Sequence, residues 1–298
     1  MIITLTDTTA RQIATSLLKA RRNLGPANGM VHTLVVVAEE EHYDEVLEAA
    51  MDAGRAHPSR IIVLSYTEAD APRLDAELHS GESVPGDIIV LRVYGELRAH
   101  ADSVVLPLLL PDSPTVVWWP HNAPTNLAAD SVGALATRRI TDAAGSADPQ
   151  AALLVRAANL SPGDTDLTWT RLTPWRGLIA ASLDQHPCSV TGATVEAAPD
   201  NAPATLMRTW LKTRLGVEVA AVDTPGPGIT AVRLHTDSGD IAVIREDGFM
   251  ASYVVPSQVR RSVALKRRSM TQLLTEELQR MDPDEVFEAV IAELLEER

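Results

Sequence analysis

The side chains able to do chemistry in this 298-residue chain are few and scattered. His121 is the most suggestive, because it follows the run Thr115-Val116-Val117-Trp118-Trp119-Pro120. An imidazole in such a place could be a ligand contact or an acid–base group near neutral pH. It also reads as a solvent-facing loop histidine. Cys188 is the single cysteine, so an intramolecular disulfide is excluded. His186 stands near it, yet no nucleophile motif surrounds the pair, and no G-x-S-x-G elbow occurs. No two histidines flank a glutamate at helical spacing, as a zinc-binding helix would require. The expectation from these residues is therefore no catalytic set, no metal and no cofactor.

Phosphate chemistry finds no support at the expected place. A dinucleotide-binding domain needs a glycine-rich first βα turn, so that backbone amides and a helix N-terminus reach a pyrophosphate. Here that turn is Ala38-Glu39-Glu40-Glu41-His42-Tyr43-Asp44, with four carboxylates and no glycine. No G-x-x-x-x-G-K-[ST] occurs. Thr224-Pro225-Gly226-Pro227-Gly228 has glycines but joins two expected strands, so it reads as a turn.

Tryptophan and arginine stand out instead. Trp169, Arg171, Trp175 and Arg176 lie within eight residues around Pro174, and Arg138-Arg139 follow the tryptophan strand. These residue types dominate binding hot spots, because they cover large area while keeping a polar handle. Packing within the fold is the other reading of Trp169 and Trp175. Arg260–Arg268 carries five basic residues and no acid, ahead of an acidic tail. It reads as a solvated basic strand or helix end pairing with that tail, or as an interaction patch. The candidate partner-binding residues are Trp118, Trp119, His121, Arg138, Arg171, Trp175 and Arg176.

The elements that must position these residues follow from periodicity. Apolar spacing predicts a helix over 6–23, ended by Gly25-Pro26, and a second over 40–56. Continuous apolar runs predict strands at 30–38, 60–66, 87–94 and 115–119, with one more at 137–143. Short helices are expected near 99–110 and 148–160. Strands of this kind alternating with helices imply a doubly wound α/β domain: a mainly parallel sheet with helices on both faces, over residues 1–160. His121 and Asn122 then sit at the carboxyl edge, where such sheets bind ligands. Alternation places Trp118 and Trp119 on opposite faces. One indole is expected in the core and the other at the domain join or a partner.

Ser161-Pro162-Gly163-Asp164 marks the join. Residues 165–298 read as α+β: a helix at Pro174, a strand at 189–197, a helix at 203–215, a β-meander over 216–255 and two terminal helices. Asp237-Ser238-Gly239-Asp240 and Glu246-Asp247-Gly248 are hairpin-turn signals. Asp282-Pro283-Asp284-Glu285 signals the start of the last helix, with proline at its first position.

Composition sets the outer bounds. A net charge of −14 disfavours nucleic acid and anionic membranes as partners. The first residues lack the uninterrupted apolar core of a secretory signal, and no stretch approaches a membrane span, so a cytoplasmic protein is expected.

Three blocks together resemble the glucose-6-phosphate dehydrogenase assembly protein (OpcA) family: TVVWWPHNAP at 115–124, DLTWTRLTPWR at 166–176 and VALKRRSMTQLLTEELQRMDPDEVFEAVI at 263–291. The resemblance implies a non-catalytic cytoplasmic partner that binds glucose-6-phosphate dehydrogenase and favours its active oligomer. Its implied context is the oxidative pentose phosphate pathway and NADPH supply. With Cys188 alone, a cysteine-based redox switch would need an intermolecular disulfide or another modification. The competing reading is a small-molecule sensor for a phosphosugar or nucleotide, binding at the carboxyl edge near His121.

Overall fold

The computed structural model describes residues 2–24, 29–79, 86–245 and 247–297. In chain order the first elements are β1 (Ile2–Leu5), α1 (Ala10–Leu24), β2 (His32–Ala38), α2 (Tyr43–Ala56), β3 (Ser59–Thr67), β4 (Arg73–His79) and β5 (Gly86–Tyr94). Next come α3 (Ala101–Val105), β6 (Thr115–Trp118), β7 (Arg138–Thr141), α4 (Pro149–Ala158), β8 (Asp164–Asp166), α5 (Leu167–Thr170) and α6 (Thr173–Gln185). The remainder is β9 (Val190–Ala197), α7 (Ala202–Leu215), β10 (Val219–Asp223), β11 (Ile229–Thr236), β12 (Ile241–Ile244), β13 (Met250–Val254), β14 (Arg261–Ala264), α8 (Met270–Glu277) and α9 (Glu285–Glu296). Contacts divide the chain into two compact units with interleaved segments. One holds Met1–Asp142, Asn159–Thr165 and Met270–Pro283; the other holds Ala143–Ala158, Asp166–Ser269 and Asp284–Arg298.

The first unit is built on a sheet of order β1-β4-β5-β3-β2-β6-β7-β8. β5, β3, β2, β6 and β7 run parallel, while β4 is antiparallel to both β5 and β1. Register aligns Ile89, Ile62, Val35 and Val117 in one row across the sheet. That row shares a core with Ile13 and Leu17 of α1 and with Val104 and Val105 of α3. The next row, Val90, Val63, Val36, Trp118 and Ile140, faces the opposite way. α2 lies against β2 and β3, burying Val46, Ala49, Ala50 and Ala53, and α8 packs on α2. Helix cover on both faces explains why these parallel strands are apolar throughout rather than alternating.

Three strands of this sheet, β1, β4 and β8, lie outside the expected set, β8 falling at the expected join. β4 carries Leu74, Ala76 and Leu78 inward, and Arg73, Asp75, Glu77 and His79 on the other side. Its mean hydropathy hides it, although its period-2 alternation is visible in retrospect. β1 is a short edge strand paired, among the described residues, only with β4. The expected helix over 99–110 is α3 between 3-10 turns at Gly95–His100 and Leu106–Leu108, where Pro107 interrupts the α pattern. The Gly25-Pro26 stop lies outside the described residues.

Polar residues fasten the edges of this core. Asp87 on β5 accepts from Arg21 of α1 and from Arg60 of β3, whose other nitrogen donates to the Leu108 carbonyl at 2.6 Å. At β7, Arg138 donates to Glu277 of α8 at 2.6 Å and to the Asp282 carbonyl at 2.9 Å. Arg139 pairs with Asp164 and donates to the carbonyls of Ala136 and Pro162.

In the second unit the sheet order is β10-β9-β11-β12-β13-β14. β11 to β14 form the antiparallel meander, but β10 pairs parallel to β9 on its far side. The expected meander over 216–255 therefore begins one strand later. β9, α7 and β10 make a crossover, a direction that hydropathy does not encode. α7 packs on β9, β10 and α9, and α9 buries Phe287, Val290, Ile291 and Leu294. Asp284 caps α9 by accepting from the amides of Val286 and Phe287. Pro283 thus lies just outside the helix rather than at its first position. Of the second hairpin signal, Asp247 accepts from the amides of Phe249 and Met250; Glu246 lies outside the described residues. Among the described residues no helix is long and apolar enough to cross a membrane.

Two outcomes are expected from this packing. A Cβ added at Gly133 would lie 1.9 Å from the Leu127 carbonyl oxygen and 3.1 Å from the Trp119 ring. Gly133→Ala should lower stability by about 1–3 kcal/mol, seen as a fall in denaturation midpoint at unchanged slope; an unchanged midpoint would contradict this packing. His32 is fully buried against Ser59, and burial, with repulsion from His57, lowers its pKa from 6.5 to about 4. The unfolded chain therefore binds a proton that the folded chain refuses between those values. The contribution is whole above pH 6.5 and is lost on acidification toward pH 4, by at most about 1.4 kcal/mol per pH unit. Stability measured across that range should fall less steeply in His32→Gln than in the parent chain.

Candidate functional site

β6 sits between β2 and β7, so both faces of its tryptophans are inside the sheet's cover. Trp118 is 0% and Trp119 3% exposed. Trp119 belongs to the core with α1, α3, Leu127 and Val132, and its amide donates to Ile140 at 3.0 Å. Both indoles are buried, so the one expected at the domain join or a partner presents almost no surface. Arg138 is equally enclosed, at 1% exposure, by its partners on and after α8. These three residues shape the first unit and present almost no surface.

His121 lies at the carboxyl edge, half-buried, with its ring stacked on that of His42 at 4.2 Å. The two histidines are far apart in sequence, and only the parallel pairing of β2 with β6 brings their loops together. Around them the edge is acidic. Asn122 donates to Glu39, while Glu40 accepts from Ser65 and from Arg92, each at 3.1 Å. Arg92 also donates to Glu77 at 2.8 Å, and that bond holds the Glu77 carboxyl below its ordinary range. Glu39, Glu41 and His42 bring three possible metal-ligand atoms within 4.8 Å of one another, all on exposed or half-exposed side chains. Carboxylates so placed repel phosphate, as the sequence of this turn implied.

The second unit gathers the other candidates. Asp166 caps α5, which carries Trp169. The Trp169 indole is 1% exposed, donates to Asp284 at 2.9 Å and tilts against Phe287. Arg176 lies over its ring, 3.6 Å from the centroid, a cation–π contact. Trp175, 2% exposed, has Arg245 over it at 5.0 Å. Of this cluster, Arg171 and Arg176 are partly exposed; Trp169 is the platform beneath Arg176 and Trp175 the one beneath Arg245.

A cavity of about 200 Å³ opens beside this cluster. Arg171, Leu172, Pro174 and Trp175 line it from the start of α6, and Asn201 and Pro203 from the start of α7. Gly228, Ile229 and Arg245 belong to the meander side, and Leu265 to Arg268 complete the wall. Arg245 is 8% exposed and donates to the carbonyls of Leu265 and Ile229 at 3.2 and 3.1 Å, while its Nε has no partner among the described residues. Burial, with repulsion from Arg267, pushes its pKa down to about 10. Arg267 donates to the Pro227 carbonyl and Arg268 to that of Thr170. The Thr224–Gly228 stretch is thus a wall as well as a turn.

Sequence reasoning missed Arg245 and the partnership of His42 with His121. It saw Arg260–Arg268 as a surface run, whereas its last residues turn into a cavity wall. The available signal was a run of cations without an acid, together with an arginine closing the apolar strand Ile241–Ile244. On the acidic tail, Glu293 and Glu297 pair with Lys212 of α7, at 2.8 and 2.7 Å.

Two family models match consecutive stretches of the chain. One, described as the glucose-6-phosphate dehydrogenase subunit N-terminal domain, covers residues 50–158; the other, its C-terminal domain, covers residues 162–291. A Synechocystis sp. protein described as "Putative OxPP cycle protein OpcA" is 28% identical over 141 residues. That match spans 43% of this chain and 30% of the relative's length. Among solved structures, a 3-ketoreductase from Actinomadura kijaniata aligns with a TM-score of 0.49 at 9% identity, over 89% of this chain and 95% of that one. A dehydrogenase from Clostridium difficile aligns at 0.45 and 4%, over 89% and 96%. Likenesses this weak carry no argument about function. With both of its domains matched in order, the chain belongs to the glucose-6-phosphate dehydrogenase assembly protein (OpcA) family.

Proposed function

We propose that this chain is a non-catalytic cytoplasmic partner of glucose-6-phosphate dehydrogenase that favours the enzyme's active oligomer in the oxidative pentose phosphate pathway. The observation that carries the reading is the pair of family models, both described as parts of a dehydrogenase subunit, over residues 50–158 and 162–291. A protein of this kind acts by differential affinity. Binding the assembled enzyme more tightly than its separated or inactive subunits shifts the equilibrium by the difference in binding free energy. More NADPH production follows without any chemistry on the factor itself.

The contact surface assigned here is narrower than residue types alone suggested. Arg171 and Arg176 are the partly exposed members, and Trp169 holds Arg176 from beneath. Pre-ordered guanidinium groups lose less side-chain entropy on binding than free ones, which suits them to carboxylates on a partner. His121, half-exposed at the first unit's carboxyl edge, is a second contact. Trp118, Trp119, Arg138 and Trp175 act through the shape they give their units.

The test uses purified dehydrogenase, with complex formation followed by light scattering and activity by NADPH production. The double variant Arg171→Ala/Arg176→Ala should fold and bind the dehydrogenase about ten- to thirty-fold more weakly. Trp118→Leu should lose stability before it loses affinity. A wild-type chain that leaves the dehydrogenase's oligomer size and activity unchanged would sink the proposal.

A further inference from the structure

The basic cavity of the second unit has the make-up of an anion site. The chain as a whole carries a net charge of −14, yet Arg171, Arg245, Lys266, Arg267 and Arg268 line this one space and, among the described residues, no carboxylate does. Low-dielectric walls of Leu172, Ile229 and Leu265 concentrate the field of those cations. Two helices begin at its rim. α7 starts at the capping residue Asn201, whose side chain accepts from Ala204 at 2.9 Å. α6 starts at Leu172 with no side-chain cap. The partial positive charge of each helix N-terminus adds to that of the side chains.

Arg245 supplies an independent sign that the space is built for a ligand. It is more than nine-tenths buried, its described hydrogen bonds are to neutral carbonyls, and its Nε hydrogen has no partner among the described residues. A buried guanidinium that no carboxylate bonds, among the described residues, is costly; Arg267 repels it, and Asp247 offsets this only through space. Lys266, exposed at the rim, has no ion pair among the described residues. An anion in the cavity would answer both groups.

We propose that this cavity binds a compact phosphorylated metabolite, a phosphate monoester of about monosaccharide size, through Arg245, Lys266, Arg267 and the start of α6. Phosphate fits because three oxygens can accept from a guanidinium fork, an ammonium and backbone amides together. The size follows from the volume. About 200 Å³ is below the roughly 300–1,000 Å³ of pockets for larger ligands, which disfavours a dinucleotide. Trp175 and the prolines Pro174 and Pro203 give the body of the ligand an apolar wall. The site is distinct from the acidic carboxyl edge near His121, and it does not depend on the dehydrogenase reading.

Calorimetric titration of the full chain, without dehydrogenase, tests this. Inorganic phosphate and glucose 6-phosphate are the probes, and glucose is the uncharged control. Both anions should bind with Kd at or below about 1 mM at low salt, more weakly at about 0.3 M sodium chloride, and glucose should not bind. Lys266→Gln/Arg267→Gln should weaken both anions at least about ten-fold with an unchanged circular dichroism spectrum. Lys266→Glu alone, which leaves the Arg267 contact to Pro227 in place, should weaken them too. Failure of both anions to bind up to about 10 mM, binding that neither variant alters, or equal binding of glucose would each overturn the proposal.

Discussion

A parallel strand in the middle of a sheet has two apolar faces, and both must be covered. β6 presses this constraint hardest, because it carries Val116 and Trp118 to one side and Val117 and Trp119 to the other. The first unit is arranged to meet it. α1 and α3 close the face of Val117 and Trp119, while α2 and α8 lie on the opposite side. α8 comes from near the end of the chain, and the buried Arg138–Glu277 pair, joining residues 139 positions apart, fixes it beside β7. Breaking such a pair leaves one charge buried and unmatched, so the pair makes the placement specific whatever its net contribution.

Electrostatics divides the two units in a way that residue counts conceal. The carboxyl edge of the first sheet, where open α/β sheets hold their ligands, is crowded with Glu39, Glu40 and Glu41, of which Glu40 is engaged by Arg92 and Ser65. The second unit concentrates cations around a single cavity. An overall negative charge therefore coexists with one locally positive space, and only the local field decides what that space attracts.

Tryptophan and arginine play a different part from the one their types suggest. Hot-spot enrichment describes residues that end up at interfaces, and the same large rings also fill cores well. Here Trp118, Trp119, Trp169 and Trp175 are all at most 3% exposed. Two of them keep the functional flavour indirectly, since Arg176 and Arg245 rest on their rings. The indoles hold guanidinium groups in place, and those groups carry the charge outward or into the cavity.

Much of this was legible in the residues themselves. The β2, β3, β5 and β6 runs and the α2 stripe are local patterns, and periodicity acts over a few residues, so they read directly. The missing phosphate cradle was equally plain, because a glycine-free acidic turn is a local fact. Strand direction, the pairing of β10 with β9, the meeting of His42 with His121 and the enclosure of Arg245 are not local. Each depends on which distant segment packs alongside, and burial and hydrogen-bond partners exist only once that packing is made. Thus most of the chain's helices and apolar strands, and its family blocks, were determined by sequence alone. Which tryptophans face a core and which cations share a cavity was decided by the tertiary structure, because exposure and field are properties of neighbours in space.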